Sequence, residues 1–233
     1  MSKVILSKKT LDVLKNFSTI NSSIVFRKGS TVRTISNAEN ILAKFTGEEV
    51  FPSDFAIYDL SQFLSGISLF NDPQLEFTSN DFVSIRGGRT SAKYYFSDPE
   101  ITLKSAPEKN VQFPGADIQF ILSFEDLVSL RRASTVYGLP DLTIQSEEGL
   151  DTIKLILRDK ENDTSNTYDI TLAGCCTGTY SLDVKIDNIR VLPGDYDIKV
   201  SKALISEWVN VTKKSNTFKI ANVNLTYYIA LEP

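Results

Sequence analysis

The sequence predicts an α+β fold of two similar domains, each with two helices packed on antiparallel sheets. The first observation is a short pattern that occurs four times, in which an apolar strand end runs into Ser or Asp and an apolar helix stripe follows. A second is that most other segments alternate apolar and polar residues between turn residues, which is typical of half-buried strands. Because a repeated supersecondary unit implies a repeated architecture, four units indicate two domains of two units each.

The four predicted helices begin at a residue whose side-chain oxygen can accept from the free N–H groups of the first turn. These residues are Ser7, Asp59, Ser123 and Asp187. An apolar residue follows each of them four positions later, on the face that a helix would bury. These apolar residues are Leu11, Phe63, Leu127 and Val191. We therefore expect two helices in each half of the chain, the fourth being short.

Strands are expected over most of the remaining chain. In the first half they cover residues 20–26, 31–35, 41–45, 75–77, 82–86 and 92–96. In the second half they cover residues 142–145, 152–157, 168–172, 180–186, 196–200, 205–211, 217–220 and 225–231. Pro99, Pro107 and several charges interrupt the periodicity near the middle, which indicates a linker. We predict a first domain over residues 1–100, a linker over 101–112 and a second domain over 113–233.

Composition excludes several classes of function. The chain has 25 basic and 29 acidic residues, a net charge of -4, which argues against a uniformly basic nucleic-acid binder but allows local basic patches. Histidine is absent, which removes Ser-His-Asp and Cys-His sites. The adjacent Cys175 and Cys176 would point to opposite faces of a strand, so they make a poor disulfide or metal site. We expect no catalytic activity, no metal and no cofactor.

The cellular setting follows from what the sequence lacks. No apolar stretch approaches the roughly 18 residues of a membrane span, so no membrane association is expected. The N-terminus lacks the charged region, apolar core and cleavage site of a signal peptide. These features predict a cytosolic protein, including one in the cytosol of an infected host.

Short matches recur in order along nearly the whole chain, outside residues 22–53 and 141–182. They include Leu6-Ser7-Lys8, Leu14-Lys15-Asn16-Phe17, Ala56-Ile57-Tyr58-Asp59-Leu60, Phe63-Leu64, Asn71-Asp72, Phe113-Pro114, Glu125-Asp126-Leu127, Pro193-Gly194-Asp195-Tyr196 and Ala230-Leu231-Glu232. With these residues the chain resembles the sliding clamps of T-even-type bacteriophages, which are DNA polymerase processivity factors. None of the matches is a catalytic motif; their order and spacing carry the resemblance.

The resemblance implies a DNA-clamp fold assembled head to tail as a homotrimer, a pseudo-sixfold ring around double-stranded DNA. Two similar but non-identical domain ends would also suit a heterologous contact that closes into a ring. The helices would line the hole and the sheets would form the outer wall. Implied partners are the viral DNA polymerase, an ATP-dependent clamp loader, and a late sigma factor with its co-activator, in the cytoplasm of the infected bacterial host. An alternative function is a structural oligomeric phage protein of the tail or baseplate.

Basic residues on the predicted helices are candidates for contact with DNA. They are Lys8, Lys9, Lys15, Arg131, Arg132 and Arg190. With Leu11 and Leu14 as the buried stripe, Lys9 should point away from the core, between Lys8 and Lys15. Lysines at a helix start are also unfavourable beside the positive end of the helix dipole. Residues that break a local preference in this way are expected at functional positions. The alternative is ordinary solvated surface charge.

The resemblance also implies an apolar pocket for partner peptides, beside the linker and the C-terminal end. The matching positions are Val111, Phe113, Tyr228, Ile229 and Leu231. The alternative is that these alternating residues belong to the core. For Ile229, a place in the core is as much expected as a place in the pocket.

Overall fold

The structure is a computed structural model that describes residues 2–98, 104–211 and 224–232. The chain divides into two compact units, Met1–Asn110 and Val111–Pro233. This division falls inside the segment 101–112 that was expected to link two domains. The strand expected at 217–220 lies outside the described residues. No helix of the described part is long and apolar enough to cross a membrane.

The described part of the first unit contains two helices and three sets of antiparallel strands. Its elements are β1 Ser2–Val4, α1 Lys8–Ile20, β2 Ile24–Phe26, β3 Gly29–Ile35, β4 Ile41–Phe51, β5 Phe55–Ile57, α2 Leu60–Ser68, β6 Gln74–Phe77, β7 Phe82–Gly87 and β8 Thr90–Tyr95. The strands β1-β6-β7-β8 form a sheet in that order, while β2 pairs with β5 and β3 with β4. Helices α1 and α2 pack against each other.

Apolar side chains from both helices form the core of the first unit. Phe17 of α1 and Phe63 of α2 are at most 1% exposed. Phe26 and Phe55 stack with ring centroids 4.5 Å apart, and Phe51 packs on both rings. Since aromatic pairs contribute beyond their buried area, this cluster fixes β2, β4 and β5 together.

The second unit is built on one antiparallel sheet. Its elements are β9 Ile118–Leu122, α3 Phe124–Tyr137, β10 Asp141–Ser146, β11 Thr152–Arg158, β12 Tyr168–Cys176, β13 Tyr180–Lys185, the 3-10 turn η1 Ile186–Asn188, β14 Asp195–Ser201, β15 Ile205–Val211 and β16 Leu225–Ala230. The strand order is β13-β10-β11-β12-β9-β14-β15-β16. Tyr196, Trp208 and Tyr227 meet edge to face in its core.

The α+β class, with helices packed on antiparallel sheets, is confirmed, but the fourth predicted helix is wrong. The chain forms only η1 there, with Lys185 before it and no side-chain cap, so Asp187 does not begin a helix. Pro193-Gly194 and the start of β14 leave too few residues for further helical turns. Ile189 and Val191 are nevertheless buried. The apolar pattern therefore predicted burial correctly and helix length incorrectly.

Candidate DNA-facing surface and partner site

The start of α1 is held by a carboxylate from another element. Ser7 accepts a hydrogen bond from the Thr10 N–H at 3.2 Å, as predicted for an N-cap. The first turn itself has no acidic residue. Glu49 of β4 accepts instead from the Ser7 N–H at 2.5 Å and from the Thr10 hydroxyl at 2.7 Å. The negative charge that a helix N-terminus favours is thus supplied by a strand.

The surroundings of Glu49 stabilise its ionised form. Burial acts to raise the pKa of this carboxyl, but the hydrogen bonds from Ser7 and Thr10 together outweigh it. The pKa of Glu49 therefore lies below its ordinary value. Although Lys8 and Lys9 open α1, a carboxylate still lies beside the helix start, and it comes from a residue 42 positions after Ser7.

The buried side of α1 fixes the directions of its lysines. That side consists of Thr10, Val13, Leu14, Phe17 and Ile20. Leu11, expected in the stripe, is only half-buried. At 3.6 residues per turn, Lys8 and Lys15 share the side opposite the buried one. Lys9 lies on the flank, with its ammonium 5.9 Å from the centre of the Phe45 ring. The expected order is corrected: Lys8 and Lys15 lie opposite the buried side, and Lys9, which is also exposed, lies on the flank.

Helix α2 offers a polar surface without charge. Asp59 accepts from the Gln62 N–H at 2.8 Å and caps the helix as predicted. The Tyr94 hydroxyl donates to the Asp59 carbonyl oxygen at 3.0 Å, which ties β8 to this helix start. Ser61 and Ser65 are exposed. Of the two described helices of the first unit, only α1 carries basic residues.

Helix α3 begins in the same manner as α1. Ser123 accepts from the Asp126 N–H at 3.1 Å. A carboxylate oxygen of Asp195, on β14, accepts from the Phe124 N–H at 2.7 Å. Arg132 is exposed on the side opposite the buried Leu127 and Leu130, as expected. Both α1 and α3 thus receive a carboxylate from a strand and expose a basic side chain.

Arg131 has a structural role that the sequence did not suggest. Its guanidinium donates to the Ile189 carbonyl at 2.5 Å and to the Val191 carbonyl at 3.5 Å. Burial lowers the pKa of Arg131. The expectation that Arg131 faces DNA is therefore corrected, because its side chain ties α3 to the segment that follows η1. Arg190 is exposed, and its Nε donates to the Asp187 carbonyl at 2.9 Å.

The residues expected to form a partner pocket do not share one surface. Val111 and Phe113 are half-buried. Along β16, Ile229 is 0% exposed and Leu231, just beyond the strand, is 6% exposed. Ile229 is therefore core, in agreement with the alternative interpretation, and Leu231 is largely covered. Tyr228 alternates with them and points to the other face of the strand.

Tyr228 lies in a partly polar setting on that other face. It is half-buried and pairs across the strands with Glu207 of β15. Burial, together with the Glu207 carboxylate, raises the pKa of Tyr228 to about 12. A single pocket wall cannot include both Tyr228 and Ile229, because adjacent strand residues face opposite ways.

Residues 104–110 of the expected linker belong to the first unit and are bonded to it. Lys104 pairs with Glu39 at 2.7 Å and donates to the Asn37 carbonyl at 2.8 Å. Glu108 pairs with Arg27 at 3.1 Å. Sequence reasoning missed these contacts, and the charges within 101–112 were their only signal.

Comparisons with known proteins agree with this architecture. The family model for the DNA polymerase processivity factor matches residues 6–98. The sliding clamp of Vibrio phage KVP40 is 31% identical over 97% of this chain and 98% of that protein. The sliding clamp of Enterobacteria phage T4 is 29% identical over 97% of this chain and 96% of that protein.

Solved structures show the same fold at low sequence identity. Proliferating Cellular Nuclear Antigen from Entamoeba histolytica superposes with a TM-score of 0.69 at 13% identity, over 95% of this chain and 94% of that one. A. fulgidus PCNA, solved with the C-terminal region of FEN-1, superposes with a TM-score of 0.70 at 12% identity, over 100% of this chain and 99% of that one. The expected DNA-clamp fold is thereby confirmed. With a relative above 30% identity along nearly its whole length, the chain belongs to the sliding clamp family of T4-like phages, the DNA polymerase processivity factors.

Proposed function

We propose that this chain forms a homotrimeric ring around duplex DNA and tethers the viral DNA polymerase for processive replication in the cytoplasm of the infected bacterium. The observation that carries the proposal is similarity to phage sliding clamps over 97% of the chain. A ring that holds DNA topologically needs no active site, and we infer that the protein has no enzymatic activity. The comparisons give no support to the alternative of a tail or baseplate component.

Two unpaired strand flanks support head-to-tail assembly. In the described part of the first unit, β8 lies at the edge of its sheet, and its residues are mostly exposed. In the second unit, β12 pairs with β11 over residues 168–173, whereas β9 pairs only with residues 174–176. Among the described strands, the second flank of 168–173 therefore has no partner. Pairing of β8 from one protomer with β12 of the next would satisfy both flanks, and three such contacts would close the ring.

The exposed basic residues of α1 and α3 support contact with DNA. Lys8, Lys15 and Arg132 point away from the cores of their units. On a chain of net charge -4, such cations would act locally on phosphates. Phosphate contacts carry no sequence information and exchange readily, which suits a protein that slides.

Partner proteins follow from the family. Processive synthesis requires the polymerase, and ring opening requires an ATP-dependent clamp loader. By analogy we extend the proposal to a late sigma factor and its co-activator, which would make the protein an activator of late transcription. The A. fulgidus PCNA structure holds a C-terminal region of its partner, which is consistent with docking of short segments on this fold.

The test combines assembly with activity. Light scattering at several protein concentrations should give a mass that rises from the 26.0 kDa chain to three chains. Primer extension on primed circular DNA should become processive only when clamp, loader and ATP are all present. A monomer mass at tens of micromolar, or synthesis that ignores the clamp, would contradict the proposal. Co-purification with virions would instead favour a structural protein.

A further inference from the structure

The sheet of β1, β6, β7 and β8 has one face that points away from the helices. Val83 of β7 lies opposite Tyr94 of β8; Val83 is buried, and the Tyr94 ring packs on Phe63 of α2 with centroids 5.0 Å apart. Because side chains alternate along a strand, the residues between these project from the other face. We call that other face the outer sheet face. Its residues are Lys3, Gln74, Glu76, Phe82, Ser84, Arg86, Ser91, Lys93 and Tyr95.

The outer sheet face carries more positive than negative charge. Its one acid, Glu76, pairs with Lys3 at 3.0 Å and with Arg86 at 2.7 Å. The Glu76 side chain is only 7% exposed, whereas the side chains of Lys3 and Arg86 are more than half exposed. Lys93 is exposed as well, and no ion pair of the described residues includes it. Three cations above one covered carboxylate leave this face positive on a chain of net charge -4.

Aromatic rings lie beside these cations. Tyr95 is 65% exposed, and its ring centroid is 5.6 Å from that of Phe82. The Lys93 ammonium lies 4.5 Å from the centre of the same Phe82 ring. Phe82 therefore supports an exposed ring and an exposed cation next to each other on β8. Single-stranded nucleic acids are bound by this combination, because cations attract the phosphates and unpaired bases stack on the rings.

Other anions suit the outer sheet face less well. The bases of a duplex are stacked inside the double helix, so duplex DNA could use the cations but not the Tyr95 ring. The carboxylates of an acidic peptide would likewise use only the charges. Pairing of the β8 edge with another strand would engage backbone N–H and C=O groups in the plane of the sheet, so it would leave the face itself free.

We propose that the outer sheet face binds single-stranded nucleic acid without sequence preference, with phosphates held by Lys3, Arg86 and Lys93 and a base stacked on Tyr95. This surface is separate from the exposed cations of α1 and α3, because the helices lie on the other side of the sheet. Binding of a single strand here requires neither a ring nor a loader. The consequence for replication, a place for the unpaired strand beside a primer–template junction, rests on the proposed function.

The stacking role is tested with a fluorescein-labelled oligonucleotide of about twenty thymidines, followed by anisotropy at low salt without loader or ATP. Tyr95→Ala should weaken binding by at least about fivefold, because stacking on one base is lost. The matched control Tyr95→Phe keeps the ring and should bind as the wild type does. The same measurement with a uridine oligonucleotide tells whether the natural strand is DNA or RNA, since both offer phosphates and unpaired bases.

The charge role is tested by the salt dependence of the same binding. For Lys3→Gln/Lys93→Gln, the slope of log affinity against log salt should be smaller by about 1.4, since each phosphate contact to a single strand contributes about 0.7. The matched control Lys28→Gln/Lys202→Gln removes the same charge from two exposed positions elsewhere and should keep the wild-type slope. Arg86 still pairs with Glu76 in the double variant, so its circular dichroism and Tm should match those of the wild type.

Several results would overturn the inference. Equal oligonucleotide binding by Tyr95→Ala and the wild type would remove the stacking role. Equal affinity for duplex DNA or for a polyglutamate peptide would show that the face recognises charge alone. Loss of binding in Lys8→Ala/Lys15→Ala/Arg132→Ala, with none in the variants of the outer sheet face, would place the single strand on the helices.

The inference and the proposed function fail in different ways. A protein that binds the oligonucleotide through Tyr95 but does not support processive synthesis with loader and ATP would refute the proposed function alone. A protein that supports processive synthesis but binds the oligonucleotide equally well after Tyr95→Ala would refute the inference alone.

Discussion

Glu49 offers the sharpest test of how α1 is anchored. Substitution by Gln keeps the size of the side chain but removes the charge beside the helix N-terminus and weakens acceptance from the Ser7 N–H and the Thr10 hydroxyl. The interaction of the carboxylate with the helix dipole contributes about 0.3–1 kcal/mol. Each hydrogen bond to a charged group contributes about 1.5–3 kcal/mol, and the Gln amide oxygen would retain part of this. We expect a net loss of about 1–2 kcal/mol in the free energy of unfolding. That loss corresponds to about 2–8 °C in Tm for a chain of this size.

The effect should depend on pH with a definite sign. The pKa of Glu49 is lowered in the folded state, so its stabilisation is present above the ordinary carboxyl pKa and is lost as pH falls through the folded value. The difference in Tm between wild type and Glu49→Gln should therefore be largest near neutral pH. It should shrink as the solution is made more acidic than the ordinary carboxyl pKa.

Thermal unfolding followed by circular dichroism, at one protein concentration across that pH range, measures the difference. The matched control is Glu48→Gln, because Glu48 is the exposed neighbour on the same strand and forms no hydrogen bond with α1. If both variants melt alike at neutral pH, or if the Glu49→Gln difference persists unchanged in acid, the carboxylate does not anchor the helix.

Other substitutions test the remaining assignments. Replacing Lys8, Lys15 and Arg132 together with Ala should shorten retention on nicked circular DNA and reduce its salt dependence while leaving the assembled mass unchanged; full retention at moderate salt would mean these helices do not face DNA. Arg131→Ala should cost about 1–3 kcal/mol in the free energy of unfolding, because two carbonyls lose their donor. The control Arg132→Ala should leave Tm unchanged, and equal Tm values for the two variants would contradict the structural role of Arg131. Ile229→Ala should cost about 2–5 kcal/mol as a core truncation, and urea unfolding that detects no loss would place this residue at a surface.

Local signals predicted the helix starts and most strands well. Ser7, Asp59 and Ser123 act as caps because the decisive hydrogen bond spans three residues, which a sequence pattern can show. The contacts of Glu49 and Arg131 connect residues 42 and 58 positions apart, so no local pattern contains them. The order of the lysines on α1 was misjudged for a different, local reason: Val13 and Phe17 define the buried side of the helix, and a stripe drawn through Leu11 rotates it.

The partner site was harder to predict than the fold. Alternation along β16 is readable from the sequence, but it does not say which face is covered by other elements. Ile229 and Tyr228 were therefore assigned to one pocket although they point opposite ways. The pairing of Arg33 with Lys44 was not predicted either, because these residues become neighbours only through the register of β3 and β4, which the sequence does not specify.

Carboxylates on strands anchor α1 and α3, so the residues that hold these helices are not the residues that the helices expose. The two sets of residues can therefore change independently during evolution. Residues that secure the helix starts, Glu49 and Asp195, lie on strands, whereas the exposed cations lie on the helices themselves. Substitutions at Lys8, Lys15 or Arg132 can therefore change how strongly the surface attracts polyanions without loosening the scaffold. Substitutions at the two strand carboxylates would instead remove the hydrogen bonds that hold the helix starts and so lower the stability of the scaffold. Divergence among phage relatives should accordingly be freer at the helix cations than at these two acids.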